Sequence, residues 1–270
     1  MNQHELLTTY VDMLVQSDMT SLIIKGNGGI GKSFVVIKEL NRLGLKEGIN
    51  YKYISGHMTP LKLFETIMQS VTLEAPKLLI FDDIDSLITN KTSIALLKAS
   101  LWGVNSKRTV TYSSNSRDDS EPVSIDFEGK VLLILNDLKQ ERTFGKPLLD
   151  RCVTFDMTLS HKELIEYIDV ILPDIQIPLK LETKKEIWQQ IKIFSTNERF
   201  SVRSVVKAFQ FYKYDKKTWV PLFINSLKLN PEQKVYYEVV AKGNQSRKQQ
   251  AKEWAKKTGQ TTRSFYRQNK

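Results

Sequence analysis

The chain has 270 residues, 41% of them hydrophobic, which is enough for a large domain with small satellites and excludes a short disordered or disulfide-stapled peptide. Forty Lys and Arg against thirty Asp and Glu leave a net charge of +10, which asks for a polyanionic partner; nucleic acid is the simplest, and an anionic membrane fits the bare number equally well. Cys152 is the one cysteine, so no intramolecular disulfide is available, and with His4, His57 and His161 scattered along the chain no metal-ligand cluster forms at the usual spacing; a reducing, cytoplasmic setting is expected.

In chain order, residues 5–15 carry apolar side chains at helical spacing, 21–25 form a β-rich run ending in glycines, and 34–43 are helical again. A strand follows at 51–55, a helix at 60–71, a buried strand at 77–81, a helix at 91–101 and a strand at 131–135. Alternation of this kind predicts an α/β fold, a parallel sheet with helices on both faces. One insertion interrupts it, because 109–113 and 123–127 alternate like the strands of a hairpin around a polar tip at 115–120. We read it as a surface hairpin whose Arg117 could also meet DNA in the channel of an oligomer. After a last strand at 153–156 the pattern is helical from 160 to about 229, broken at Pro173, Pro178 and Asn197, as in a separate small bundle. Asn230-Pro231 reads as a boundary, since the residue before proline disfavours helix. The longest apolar stretches, 131–135 among them, fall far short of the roughly 18–20 residues of a spanning helix, and the N-terminus has no basic segment before an apolar one. Neither a membrane segment nor a secretion signal is expected.

Gly26-Asn27-Gly28-Gly29-Ile30-Gly31-Lys32-Ser33 fits G-x-x-x-x-G-K-[ST], and it lies between a predicted strand and a predicted helix, as its mechanism requires. The glycines let backbone N–H groups turn in around phosphates, Lys32 reaches the outer phosphates, Ser33 holds Mg²⁺, and the helix N-terminus adds its positive end. Leu78-Leu79-Ile80-Phe81-Asp82-Asp83 is an apolar strand that delivers carboxylates to the same edge of the sheet. Asp82 would complete the Mg²⁺ site through water, and Asp83 would position or deprotonate the attacking water. Asp85 reads as the cap of the next helix.

This set of motifs resembles the AAA+ ATPases over about residues 21–212. The resemblance implies an AAA+ P-loop parallel-sheet core at 1–158 and a helical lid at 159–230, with ATP and Mg²⁺ bound between them. It also implies Asn136 as sensor 1, Arg151 as the arginine finger with Arg142 as its nearest competitor, and Arg203 as sensor 2. A finger at Arg151 would serve a neighbouring subunit, so the family likeness implies a ring or helical oligomer. Most members end the acidic strand in Asp-Glu, whereas Asp83 is one methylene shorter, which would slow hydrolysis or hold the water differently. Ser55 could couple ligand binding to Asp83. The run Ser55-Gly56-His57-Met58-Thr59-Pro60, together with Phe81-Asp82-Asp83-Ile84-Asp85-Ser86, further resembles bacteriophage-encoded AAA+ ATPases, which would place the protein in the cytoplasm of a bacterial host.

Residues 231–270 hold ten basic and three acidic side chains, so the charge is concentrated there. Ala251, Trp254, Ala255 and Phe265 lie at the spacing of a helix-turn-helix core, with Gly259 supplying the left-handed turn and 232–240 the supporting helix. Thr261, Thr262, Arg263, Ser264 and Arg267 would then enter a major groove while Lys248, Lys252, Lys256 and Lys257 face phosphates. That makes 231–270 a small all-α DNA-binding domain and removes the membrane alternative, because no broad apolar face remains. The expected function is an oligomeric ATPase coupling ATP to DNA binding or remodelling, as replication initiators, helicase loaders and transposition ATPases do, with a replication or recombination protein as a further partner. A nucleotide-gated DNA-binding regulator with little turnover, and a protein-remodelling ATPase tethered by its tail, are the alternatives.

Overall fold

The computed structural model describes residues 2–102, 108–113, 122–136, 146–197, 199–241 and 245–268. The hairpin tip with Arg117, and Arg142, lie outside the described residues. In chain order the elements are α1 (Gln3–Gln16), β1 (Ser21–Gly26), α2 (Lys32–Arg42), β2 (Tyr51–Ser55), α3 (Pro60–Gln69), β3 (Leu78–Asp82), α4 (Asp85–Thr89), α5 (Lys91–Leu101), β4 (Thr109–Tyr112), β5 (Val123–Asp126), β6 (Lys130–Leu135), α6 (Lys146–Leu149), β7 (Val153–Met157), α7 (His161–Ile171), α8 (Leu181–Ile191), α9 (Val202–Tyr214), α10 (Trp219–Ser226), α11 (Pro231–Ala241), α12 (Arg247–Thr258) and α13 (Thr262–Phe265). By contacts the chain divides into two units, residues 1–158 and 159–270.

In the first unit five strands form one parallel sheet in the order β2-β3-β6-β1-β7. Because successive strand residues face opposite sides, Ile23, Leu79, Phe81, Val131, Leu133 and Leu135 all join the core under α3, α4 and α5. The intervening Leu22, Ile24, Ile80, Leu132 and Ile134 are buried on the other face. There α1 lies against β1 and β7, and α2 lies against α1. Each fully buried Leu or Ile contributes about 1.5–3 kcal/mol, so two covered faces make the sheet the rigid part of this unit. α1 starts with a capping box between Asn2 and Glu5, and the carbonyls of Leu14 at its end and of its cap Ser17 accept from the half-buried ammonium of Lys130. The hairpin β4–β5 pairs antiparallel between α5 and β6, as its alternation predicts. Asp85 occupies the first helical position of α4 and Ile84 the cap, rather than Asp85 capping.

The second unit is helical among its described residues, and its capping boxes, Ser160 with Glu163 and Ser246 with Gln249, sit where the sequence starts a helix. Pro173 lies within a short 3₁₀ segment, Leu172–Asp174, and Asn197 caps the end of another, Lys192–Thr196. Asn230-Pro231 is a helix start: Asn230 accepts from the Gln233 amide at 2.7 Å and Pro231 takes the first helical position. The chain then stays in the same core. Phe194 contacts Tyr237, with ring centroids 4.7 Å apart, and Tyr236, Tyr237, Trp254 and Phe265 belong to one apolar cluster with Trp188, Phe209 and Phe223. Residues 231–270 are therefore packed together with 159–230.

Candidate functional site

Gly26 ends β1 beside Met157 of β7, and a Cβ built on it would lie 2.2 Å from the Met157 carbonyl oxygen, so the loop leaves the sheet at a point where only glycine fits. The chain then turns through Gly31 (φ +97°) into α2. This helix start has no side-chain cap and no acid in its first turn, which suits an anion. Lys32, 6% exposed, donates to the carbonyls of Gly26 at 2.6 Å and Asn27 at 2.9 Å, and to Oδ1 of Asn136 at 3.3 Å. His4 of α1 bonds to the Ile30 carbonyl at 3.0 Å and so ties the loop to the first helix.

Parallel pairing brings the acids to the same edge, since β3 and β6 both run towards it. Ser33 donates to Oδ2 of the buried Asp82 at 2.5 Å, and the Tyr53 hydroxyl donates to that same oxygen. Burial, and next the bond to Asp82, push the Tyr53 phenol well above its ordinary pKa, which keeps it a donor at neutral pH. Asp83 sits at φ +53°, a left-handed conformation that costs a non-glycine residue about 1–2 kcal/mol. Its amide donates to Ile134 O at 3.1 Å and its Oδ1 accepts from Asn136 Nδ2 at 2.6 Å. Asn136 therefore stands between the loop lysine and the second acid, with its amide orientation set by a cation on one side and a carboxylate on the other. Ser33 and Asp82 form a hard-oxygen donor pair next to an anion-binding helix start, which is the chemistry that Mg²⁺ with a polyphosphate needs.

The fold matches two structures of RuvB from Thermotoga maritima. One, the Holliday junction branch migration motor, is 14% identical and aligns over 98% of this chain and 87% of that one, with a TM-score of 0.50. The other, an arginine-to-alanine variant, is 13% identical over 97% and 83%, with a TM-score of 0.51. The fold is that of the AAA+ ATPases. No family model matches the sequence. Among curated proteins, an uncharacterised 36.7 kDa protein from the nrdC-mobD intergenic region of Enterobacteria phage T4 is 24% identical over 222 residues, covering 76% of this chain and 67% of that protein.

Within this AAA+ fold the expected site residues separate into groups. Gly26 to Ser33, Asp82, Asp83 and Asn136 come together at the C-terminal edge of the sheet. Arg151 stands at the opposite edge, just before β7, where it donates to Lys98 O at 3.4 Å and lines a cavity of about 810 Å³ with Arg108, Glu128 and Lys130. Arg151 lies in the turn before β7, and β7 from Val153 to Met157, the residue level with Gly26, extends about 13 Å. The Arg151 side chain cannot span that to its own loop. Arg203 is exposed on the first turn of α9 in the second unit. Ser55 is exposed at the end of β2, and the loop after it is tied to α4 by Ser86, which exchanges hydrogen bonds with the Met58 backbone. The motif pattern missed Tyr53 and His4. The only trace of Tyr53 was a hydroxyl-bearing residue two positions before Ser55, and nothing near His4 hinted at its contact.

In the second unit α12, a turn at Gly259 (φ +72°) and α13 pack through Ala251, Trp254 and Phe265, and Trp254 Nε1 donates to Glu232 O of α11 at 3.0 Å. Gly259 ends α12 in the left-handed conformation expected of it. Lys248, Lys252 and Lys256 fall on one exposed stripe of α12, away from its buried Gln250, Ala251 and Trp254. Lys257 bonds Glu253 at 3.4 Å. Thr261 caps α13 through the Ser264 amide, and Thr262, Arg263 and Arg267 are exposed. The second helix is shorter than its pattern predicts, because after Phe265 the amides of Arg267 and Gln268 bond three residues back and tighten the coil.

Proposed function

We propose that the protein is an oligomeric AAA+ ATPase that binds and hydrolyses ATP with Mg²⁺ and couples the cycle to binding or remodelling DNA, in the manner of a replication initiator, helicase loader or transposition ATPase. The observation that carries this reading is the connected set Lys32, Asn136 and Asp83 beside Ser33 and Asp82, on one edge of a P-loop sheet. Lys32 and the amides at the α2 start would bind the phosphates. Ser33 and Asp82 would hold Mg²⁺, which when bound neutralises phosphate charge. Asp83, steadied by Asn136, would orient the attacking water and accept its proton. Arg151, remote from its own loop, would supply its guanidinium to a neighbouring subunit, and Arg203 would report the nucleotide to the lid.

RuvB, whose fold this chain shares, is described as a Holliday junction branch migration motor, and that supports DNA as the partner here. The exposed basic stripe of α12 and the cations after Gly259 are the surface we assign to it, with Lys248, Lys252, Lys256 and Lys257 on phosphates and Thr261, Thr262, Arg263, Ser264 and Arg267 at the bases. A second reading, a nucleotide-gated regulator with little turnover, draws on the short Asp83 side chain, already engaged by Asn136.

The test is ATP turnover and native mass of the full chain, with and without DNA, for the wild type, Lys32→Ala, Arg151→Ala and a variant with Lys252, Lys256 and Arg263 all changed to Ala. DNA-stimulated turnover lost in the first two variants, with DNA affinity lost in the third, is the expected pattern. Tight ATP binding without turnover would favour the regulator. Turnover that survives Arg151→Ala in a monomer removes the shared site.

A further inference from the structure

β2 is an edge strand, and on it Tyr53 pairs with Ile80 of β3, two residues before Ser55, which pairs with Asp82. Ile54 packs against the core under α3 to α5, so Tyr53 faces the other side of the sheet, the side of Ile80 and Asp82. A phenol two residues back on the neighbouring strand can reach a carboxylate diagonally across one face. Here it does, and its hydroxyl donates to Oδ2 of Asp82. Ser33 donates to that oxygen from the first turn of α2, at 2.5 Å. Two separate elements, β2 and α2, thus converge on one oxygen of a carboxylate that is 7% exposed.

We propose that Tyr53 is a positioning residue for the metal site, fixing the plane of the Asp82 carboxylate from β2 so that Ser33 and Asp82 meet Mg²⁺ in a preset arrangement. This rests on reading Ser33 and Asp82 as the Mg²⁺ site. Held by Ser33 alone, the carboxylate would turn about its side-chain bonds, and Ser33 is itself the group that has to share its oxygen with the ion. Groups that orient metal-site residues from behind typically contribute about 10–100-fold in metal affinity or activity.

The variant is Tyr53→Phe in the full chain, which keeps the ring and removes one oxygen. The measurement is equilibrium binding of a fluorescent ATP analogue over a Mg²⁺ series and in excess EDTA, which requires no turnover. We expect affinity in EDTA to stay within about twofold of wild type while the Mg²⁺ midpoint rises about tenfold or more. Combined with Asp82→Asn, the change should add nothing to the midpoint of Asp82→Asn alone, because both act through one group. An unchanged midpoint, an equal loss of affinity in EDTA, or full additivity with Asp82→Asn each overturns the proposal. A wild type whose nucleotide binding ignores Mg²⁺ overturns the metal-site reading itself, and Tyr53 with it. Mg²⁺-dependent wild-type binding with an unchanged Tyr53→Phe midpoint overturns Tyr53 alone.

Discussion

Two glycines separate what a glycine can be needed for. At Gly26 a Cβ would meet the Met157 backbone at 2.2 Å, and the collision cannot be relieved by turning a side chain. At Gly259 a Cβ meets nothing within 4 Å, so only the left-handed φ is at stake. Gly259→Ala should therefore cost about 1 kcal/mol, the usual left-handed strain, and Gly26→Ala distinctly more, which thermal unfolding of the two variants would rank. Equal melting temperatures would contradict this account. Asn136 offers a second prediction. Its amide spans Lys32 and Asp83 but belongs to neither loop nor helix, so Asn136→Ala should leave nucleotide affinity nearly intact and lower turnover about 10²-fold or more. A variant that loses binding and turnover together would make Asn136 a ligand contact instead.

Individual elements carry different loads. β3 is enclosed by β2 and β6, so its carboxylates are delivered rigidly, whereas β2 lies at the sheet edge and reaches the site through one phenol. In the second unit α12 is held by one large side chain, Trp254, which is fully buried, contacts Phe265 with ring centroids 6.0 Å apart and donates to Glu232 O at 3.0 Å. Trp254→Ala removes that packing and leaves a carbonyl without its donor, so unfolding of the second unit should be easier by about 3–5 kcal/mol. Urea denaturation followed by the remaining tryptophans would measure it; a loss under about 1 kcal/mol would mean that α12 is held elsewhere. Because Tyr237 and Phe194 share a core, cutting the chain at 230 would expose apolar surface, and point changes on the α12 stripe are the cleaner way to probe DNA.

For the whole molecule, the decisive feature is that the loop and Arg151 lie at opposite edges of one sheet. An assembly that joins the two edges between subunits would make inactive partners complement each other. Lys32→Ala and Arg151→Ala chains, each inactive alone, should recover part of the turnover on mixing, since some interfaces then pair an intact loop with an intact arginine. Mixing without recovery, in an assembly shown to exchange subunits, would place the finger elsewhere. DNA affinity should fall with salt at a log–log slope of about 0.9 per phosphate contact, and removing Lys252 and Lys256, which we place on phosphates, should flatten it by about that much each.

Local pattern was sufficient for much of this protein. The phosphate loop, the acidic strand end and nearly every strand and long helix of the sheet unit follow from short-range signals, periods of 2 and 3.6 and glycines at a strand-to-helix turn, whereas Asn136 followed from the family likeness. Short α4 and α6 escaped, being too brief to show a period. What pattern could not convey depends on which strands become neighbours. Tyr53 reaches Asp82 because β2 pairs with β3, the Asn136 amide meets Asp83 because β6 inserts between β3 and β1, and Arg151 is parted from its own loop by the full length of β7. The Asn230-Pro231 step, which looks like a domain edge, opens a helix whose tyrosines return to the core of the preceding bundle. Each of these contacts joins residues far apart in the chain, and such pairings are selected by the burial of whole faces rather than by any signal within a few residues of the side chains concerned.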